Sequence, residues 1–234
     1  METTDIIIRP AIIADIHHAI AITNEMASSA KARGTGIAQR SPEYIEKKIL
    51  EGKAIIAITP NDTWVGFCYI EAWGHDEFVA NSGLIVAPEF RKSGVAKKIK
   101  KRIFDLSREK YPDAKIFGLT TGLAVMKINS ELGYEPVTYS ELTNDEEFWA
   151  GCKSCVNYDI LMSKERKNCM CTAMLYDPKD HYPVAETKQY FEENKNSLER
   201  LLRFKQWKLL KQFFKKQSNN GGTSKSLFRH FFNF

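Results

Sequence analysis

No window of the chain holds the roughly 18 apolar residues that a membrane span needs, so no transmembrane segment is expected. The start, Met1-Glu2-Thr3-Thr4-Asp5, is acidic and lacks the basic region of a secretory signal. A cytoplasmic location is the expectation. Cysteine is scarce: five in 234 residues, an odd number without secretory context, so structural disulfides are not expected. The first 185 residues also lack a basic excess. They hold 23 Lys/Arg against 25 Asp/Glu, whereas residues 186–234 hold 11 against 4. The positive charge therefore belongs to the tail, and no nucleic-acid partner is expected for the main domain.

What is present is a soluble globular composition, 43% hydrophobic and 27% charged. Ile6-Ile7-Ile8 reads as a buried strand, and Ala11–Ala27 carries apolar residues at helical spacing. Ser28–Gly36 is small, polar and glycine-broken, which predicts a loop. Ser41-Pro42-Glu43 is a helix start, with Ser as N-cap and Pro in the first turn; that helix ends near Gly52. Ala54–Thr59, Trp64–Trp73 and Phe78–Val86 read as a meander of strands. A helix follows from about Val95, with Val95, Ile99, Ile103 and Leu106 on one face and Lys97, Lys98, Lys100, Lys101 and Arg102 elsewhere. Ile116–Thr121 predicts a strand, Met126–Leu132 a helix closed by Gly133, Glu135–Leu142 and Val156–Met162 late strands, and Asn144–Trp149 a helical insertion. The order is a mixed α/β domain without a regular βαβ repeat.

One stretch points to chemistry. Leu84-Ile85-Val86 runs into Pro88-Glu89-Phe90-Arg91-Lys92-Ser93-Gly94-Val95-Ala96-Lys97-Lys98, a short basic loop with one glycine that becomes the first turn of a helix. Such a joint leaves backbone N–H groups unpaired and aimed at one point, with the helix N-terminus behind them, and suits phosphate oxygens. The bland alternative is an ordinary strand–turn–helix joint with a solvated lysine face.

Taken with this loop, the chain resembles the GNAT superfamily of acyl-CoA-dependent N-acyltransferases. Arg91-Lys92-Ser93-Gly94-Val95-Ala96 fits their Gln/Arg-x-x-Gly-x-Gly/Ala signature. Ile8-Arg9-Pro10-Ala11 with Asp15 fits their opening, and Glu131-Leu132-Gly133-Tyr134 fits a late element. The match covers roughly residues 5–162. The resemblance implies a central, mostly antiparallel sheet flanked by helices, with acetyl-CoA or another short acyl-CoA as co-substrate. It also implies that N–H groups from Lys92 to Ala96, through Ser93, Gly94 and Val95, hold the coenzyme pyrophosphate after Arg91. Ile85 and Val86 would then lie where the pantetheine arm binds, and Lys97 or Lys98 would reach phosphates as point charges.

The resemblance has two gaps. The position often held by a tyrosine acid is Asn129, and that often held by a glutamate base is Ala80. Asn129 remains a candidate hydrogen-bonding group for the coenzyme sulfur or amide. Glu71, near a strand end, is the first replacement base, with His75, Asp76 and Glu77 in the turn after it. Each is equally readable as a solvated charge. Arg33 and Arg40 flank a Gly-Thr-Gly loop in the region where these enzymes commonly bind the acceptor. Two guanidiniums suit a carboxylate, which favours a small-molecule amine acceptor such as an amino acid. N-acylation of glutamate, as in arginine biosynthesis, is the concrete version; two exposed surface arginines are the alternative.

Cys152-x-x-Cys155 and Cys169-x-Cys171 look like two halves of a zinc site. Pairing Val156–Met162 with Cys169–Tyr176 as a hairpin separates them by roughly 16 Å, too far for one metal. On that reading the thiols are free and no metal is assigned; zinc requires the hairpin to be wrong. Residues 1–185 are expected to form the acyltransferase domain and 186–234 a basic amphipathic helix with an aromatic end. That helix suits packing on its own domain or on a second subunit of a homodimer, a membrane surface, nucleic acid or a partner chain. A rival reading of the whole chain is an acyl-CoA-binding module with weak or no catalysis whose tail recruits a partner.

Overall fold

Residues 5–34 and 40–181 are described by the computed structural model; the tail called an amphipathic helix lies outside them. Seven strands form one sheet: β1 (Ile7–Pro10), β2 (Ala54–Ile58), β3 (Trp64–Trp73), β4 (Phe78–Val86), β5 (Lys115–Thr120), β6 (Glu135–Val137) and β7 (Thr172–Tyr176). Their order is β1-β2-β3-β4-β5-β7-β6. β4 and β5 are parallel, and every other neighbouring pair is antiparallel. The expected mostly antiparallel sheet flanked by helices is what forms.

The helices are α1 (Ala19–Arg33), entered through a 3₁₀ turn over Ile13–His18, then α2 (Pro42–Leu50), α3 (Val95–Lys110), α4 (Leu123–Glu131), α5 (Glu146–Ala150) and α6 (Tyr158–Ser163). Side chains alternate across the strands, so the sheet divides two cores. Ile56, Phe67 and Ile85 pack with Ile22, Met26, Ile45 and Ile49 of α1 and α2. Ile55, Cys68 and Ile70 pack with Val95, Ile99 and Ile103 of α3. Each fully buried isoleucine contributes about 1.5–3 kcal/mol, which makes these stripes the main anchor of α2 and α3. A third cluster joins Phe117 and Leu175 to Trp149 and Leu161, and holds α5 and α6 on the β5–β7 end.

Two backbone features shape the centre. β4 carries one extra residue opposite β3, since Tyr69 pairs with Ser82 but Phe67 pairs with Ile85. Gly83 sits in that bulge at φ +64°, and a Cβ there would meet Tyr69 Cε1 at 2.3 Å. β4 and β5 pair only from Phe78–Lys115 to Ala80–Phe117. Beyond that they diverge, leaving a wedge between Asn81–Val86 and Gly118–Thr120.

The structure corrects several local expectations. α1 runs through Ser28 to Arg33, and Gly34 closes it in the left-handed conformation. Small residues broken by glycine suggest a loop, but alanine and serine sustain a helix where no proline intervenes. Glu135–Leu142 is strand only to Val137, then a 3₁₀ turn over Tyr139–Glu141 whose Thr138 N–H is capped by Glu141 at 2.9 Å. Val156–Met162 is not a strand. α6 occupies it, with Leu161 buried and Val156, Ile160 and Met162 exposed. The hairpin with Cys169–Tyr176 is therefore absent, and β7 pairs with β5 and β6 instead.

Candidate active site

The loop before α3 has the form the sequence predicts. Arg91 N–H bonds Pro88 O, Lys98 N–H bonds Gly94 O, and the backbone N–H groups from Lys92 to Lys97 have no acceptor among the described residues. Gly94 caps α3 at φ +82° and Lys92 also has positive φ, +63°. Nothing lies within 4 Å of where a Gly94 Cβ would be, so glycine serves the turn's conformation and leaves its surface open. Arg91, Lys92, Ser93, Gly94 and Lys97 are exposed; Val95 is buried and Ala96 half-buried. The result is a helix N-terminus with an array of free donors, suited to a pyrophosphate.

The Arg91 side chain braces this loop. Its Nε donates to Val86 O at 3.1 Å, and its Nη2 donates to Ser29 Oγ at 2.8 Å and to Glu25 on α1. Lys97 is paired with Glu131 of α4 at 2.7 Å. Ile85 and Val86 are buried, with Ile85 facing the α1–α2 core and Val86 the α3 core.

A cavity of about 990 Å³ opens where β4 and β5 part. Glu71, Arg40, Asn81, Asn129 and Lys100 all line it. Glu71 is buried on β3. Its Oε1 accepts from the Tyr44 hydroxyl and from Arg40 Nη2 at 3.2 Å. Arg40 Nε donates to the Tyr69 hydroxyl at 3.1 Å, and its guanidinium lies over the Tyr44 ring. Ser41 caps α2 by accepting from Tyr44 N–H at 3.3 Å. That cap fixes the first turn and places Arg40 and Tyr44 on either side of it. Burial, then the Glu71 charge, pushes the Tyr44 phenol up, so at neutral pH it is a donor. Burial opposes the Arg40 charge, but Tyr69 and Glu71 outweigh it and keep the guanidinium ionised.

Lys100 lies at the apex of the wedge. It is 2% exposed, and its Nζ donates to Asn81 O at 3.4 Å, just past the last paired residue of β4. It forms no ion pair among the described residues, and burial pulls its pKa down. The Asn81 side chain is fixed from both ends, accepting from Tyr134 Oη at 3.0 Å and donating to Ser107 Oγ at 2.6 Å. Asn129 is buried on α4, 1% exposed, with Oδ1 unpartnered and Nδ2 3.8 Å from Met174 Sδ.

Not every named residue comes together here. Glu77 is exposed on the β3–β4 turn and lines a separate hollow of about 730 Å³ with Lys115 and Asp177. His75 and Asp76 are exposed beside it. The Arg33 side chain lies outside what is described. Sequence reading assigned no role to Tyr44, Tyr69 or Lys100. Lys100 carried a signal: with Ile103 and Ser107 it stands at i, i+3 and i+7, beside the apolar stripe of α3.

The fold is that of the GNAT acetyltransferases. The chain is similar to N-acetylglutamate synthase from Neisseria gonorrhoeae, complexed with coenzyme A and N-acetyl-glutamate, at 18% identity and TM-score 0.53 over 75% of this chain. It spans 36% of that synthase's length. A Mycobacterium tuberculosis protein in complex with CoA is similar at 16% identity and TM-score 0.51, over 73% of this chain and 98% of the other. A GNAT superfamily phosphinothricin acetyltransferase from Sinorhizobium meliloti, in complex with acetyl-CoA, is similar at 14% identity and TM-score 0.50, over 74% and 88%. The sequence matches no protein-family model and no curated protein.

Proposed function

We propose that this protein transfers an acyl group, acetyl in the simplest case, from acyl-CoA to the amine of a small carboxylate-bearing acceptor such as an amino acid. The observation that carries the reading is the Arg40–Glu71 pair, half-buried arginine on buried carboxylate, in the wall of the cavity where β4 and β5 diverge. It sets a cation for the acceptor's carboxylate beside an anion for its ammonium. The donor is supported by the open N–H groups of Lys92–Lys97 above the wedge, which fit the coenzyme's pyrophosphate. Glutamate is the concrete acceptor, in keeping with the fold shared with the Neisseria synthase.

In this reading Glu71 takes a proton from the acceptor ammonium. The freed amine attacks the thioester carbonyl carbon; the C–N bond forms, the C–S bond breaks with its electron pair leaving on sulfur, and the acylated nitrogen gives up its second proton to solvent. The thiolate must then gain a proton. Lys100, whose ammonium lines the same cavity, supplies positive charge for the leaving sulfur and a proton in place of the missing tyrosine. Asn129 offers its unpartnered Oδ1 to a donor on the bound coenzyme.

Ala80 and Asn129 stand where these enzymes often carry a base and an acid, and this favours a second reading: an acyl-CoA-binding module with weak or no catalysis. Thiol release from acetyl-CoA and succinyl-CoA, measured with a panel of free amino acids, tests both. Release that depends on an acidic amino acid supports the transferase. Coenzyme binding without release under any acceptor supports the module.

A further inference from the structure

The hairpin that kept Cys152 and Cys155 away from Cys169 and Cys171 does not form. α6 takes its place, and all four cysteines line one cavity. The first pair is shaped as a tight turn. Residues Gly151–Ser154 form a 3₁₀ turn, Cys155 N–H bonds Cys152 O at 2.9 Å, and Tyr158 N–H bonds Cys155 O at 3.1 Å. The Cys155 sulfur accepts the Asn157 backbone N–H at 3.4 Å. An N–H aimed at sulfur from two residues on fixes the direction in which that sulfur points.

The second pair arrives at the same residue. Cys169 Sγ lies 3.8 Å from Asn157 O, so one cysteine of each pair is docked on the two backbone groups of Asn157. Cys171 immediately precedes β7 and is held by Tyr139, whose hydroxyl donates to Cys171 O at 2.9 Å. All four are partly exposed and none is in a disulfide. The fifth cysteine, Cys68, is buried in the sheet and separate from them.

We propose that Cys152, Cys155, Cys169 and Cys171 form a structural zinc site. The C-x₂-C turn and the C-x-C strand entry, brought to one residue from opposite ends of a short segment, are the donor set and topology of a four-thiolate site. A tetrahedral zinc at about 2.3 Å from each sulfur draws the sulfurs to about 3.8 Å apart. They stand wider than this here: among the described residues the donors within 4.8 Å of one another are His17, His18 and Asp62. Binding therefore includes an inward closure of the Gly151–Ser154 turn and the Asn168–Cys171 approach to β7. The crosslink would add to the Trp149 and Leu161 packing that seats α5 and α6, which are only five and six residues long and wall the cavity that contains Glu71. The His17–His18–Asp62 group carries no such reading, because the Asp62 carboxylate already contacts both imidazoles, the exposed His17 at 3.1 Å and the buried His18 at 3.3 Å.

Metal analysis of the full chain, purified without chelator, tests the proposal independently of any acyltransferase activity. The expected result is about one zinc per chain. Protein stripped with a chelator and titrated with cobalt should show thiolate-to-cobalt charge-transfer bands together with the d–d bands of a tetrahedral ion. Cys155→Ser and Cys171→Ser should each lose those bands, and cysteine reagents should modify the stripped protein much faster than the zinc form. Zinc far below one per chain together with no cobalt–thiolate band in the stripped wild-type protein overturns the site. Two disulfides found by mass spectrometry in protein purified under nitrogen overturn it equally.

Discussion

The Tyr44 hydroxyl, on the first turn of α2, donates to Glu71 Oε1 on β3, the oxygen that also accepts from Arg40 Nη2 at 3.2 Å. The two residues are 27 apart in sequence and meet because Ser41 caps α2 at that turn. A carboxylate held by a phenol and a guanidinium is oriented and cannot swing toward solvent.

Glu71→Gln should therefore lower kcat by about a hundredfold, the contribution of a positioned base. It also leaves the half-buried Arg40 beside a neutral amide, so the thermal midpoint should fall. Tyr44→Phe keeps the carboxylate and loses one hydrogen bond to a charged group, which predicts about a tenfold loss. Rates measured well below both midpoints separate chemistry from unfolding. A Glu71→Gln variant with an unchanged kcat and pH–rate profile would remove Glu71 from the mechanism.

Lys100 predicts an alkaline signature. Burial lowers its folded pKa below its ordinary 10.5. Between those two values the unfolded chain binds a proton that the folded chain does not, so this group's contribution to stability rises with pH through that window. Lys100→Met should be at least as stable as wild type at pH 7, and its advantage should shrink as pH rises toward 10.5. Guanidinium unfolding at several pH values measures this. The same variant should lose turnover while keeping the KM for acyl-CoA.

The two glycines of the donor side should behave differently. Gly83→Ala puts a methyl 2.3 Å from Tyr69 Cε1 at positive φ. About 3 kcal/mol or more should be lost, and Tyr69 should shift away from Arg40. Gly94→Ala meets no atom within 4 Å and should cost about 1–2 kcal/mol from its left-handed backbone alone. Its larger effect should be a raised KM for acyl-CoA, because relaxing φ turns the N–H groups away from a common point.

Arg9 and Asp15 predict acid behaviour. Burial works against the Asp15 charge, but the Arg9 guanidinium, at 2.7 and 2.8 Å, and Ile12 N–H hold its carboxyl below the ordinary value. This stabilisation is complete above the unfolded pKa and is lost as pH falls through the folded one. Asp15→Asn should cost about 2 kcal/mol at pH 7, and the difference from wild type should close in acid. A gap constant with pH would contradict the pairing.

How far the sequence discloses this molecule depends on how local each signal is. The Ser41-Pro42 helix start, the Val95–Leu106 stripe and the Arg91–Ala96 loop are written in adjacent residues, and each is found where it is read. The succession of helices and strands from β1 to β6 also follows. α6 was misread because Val156, Ile160 and Met162 are apolar yet exposed, so composition suggested a strand where hydrogen bonding makes a helix. The site's partners are the hardest to see. Arg40 and Glu71 are 31 residues apart, and nothing in either neighbourhood announces the other. Lys100 sits in a run of lysines that otherwise face water, and burial singles it out only once α3 lies on the sheet.

The central claim is that the wedge between β4 and β5 carries out acyl transfer, with Glu71 and Arg40 handling the acceptor. Its most direct measurement is mass-spectrometric detection of the product formed from acetyl-CoA and free amino acids, alongside the coenzyme A released. The account predicts an N-acetylated acidic amino acid in equal amount to the free coenzyme, with both lost in Glu71→Gln. Coenzyme A binding with no acylated product from any amine, or equal product from wild type and Glu71→Gln, would contradict it.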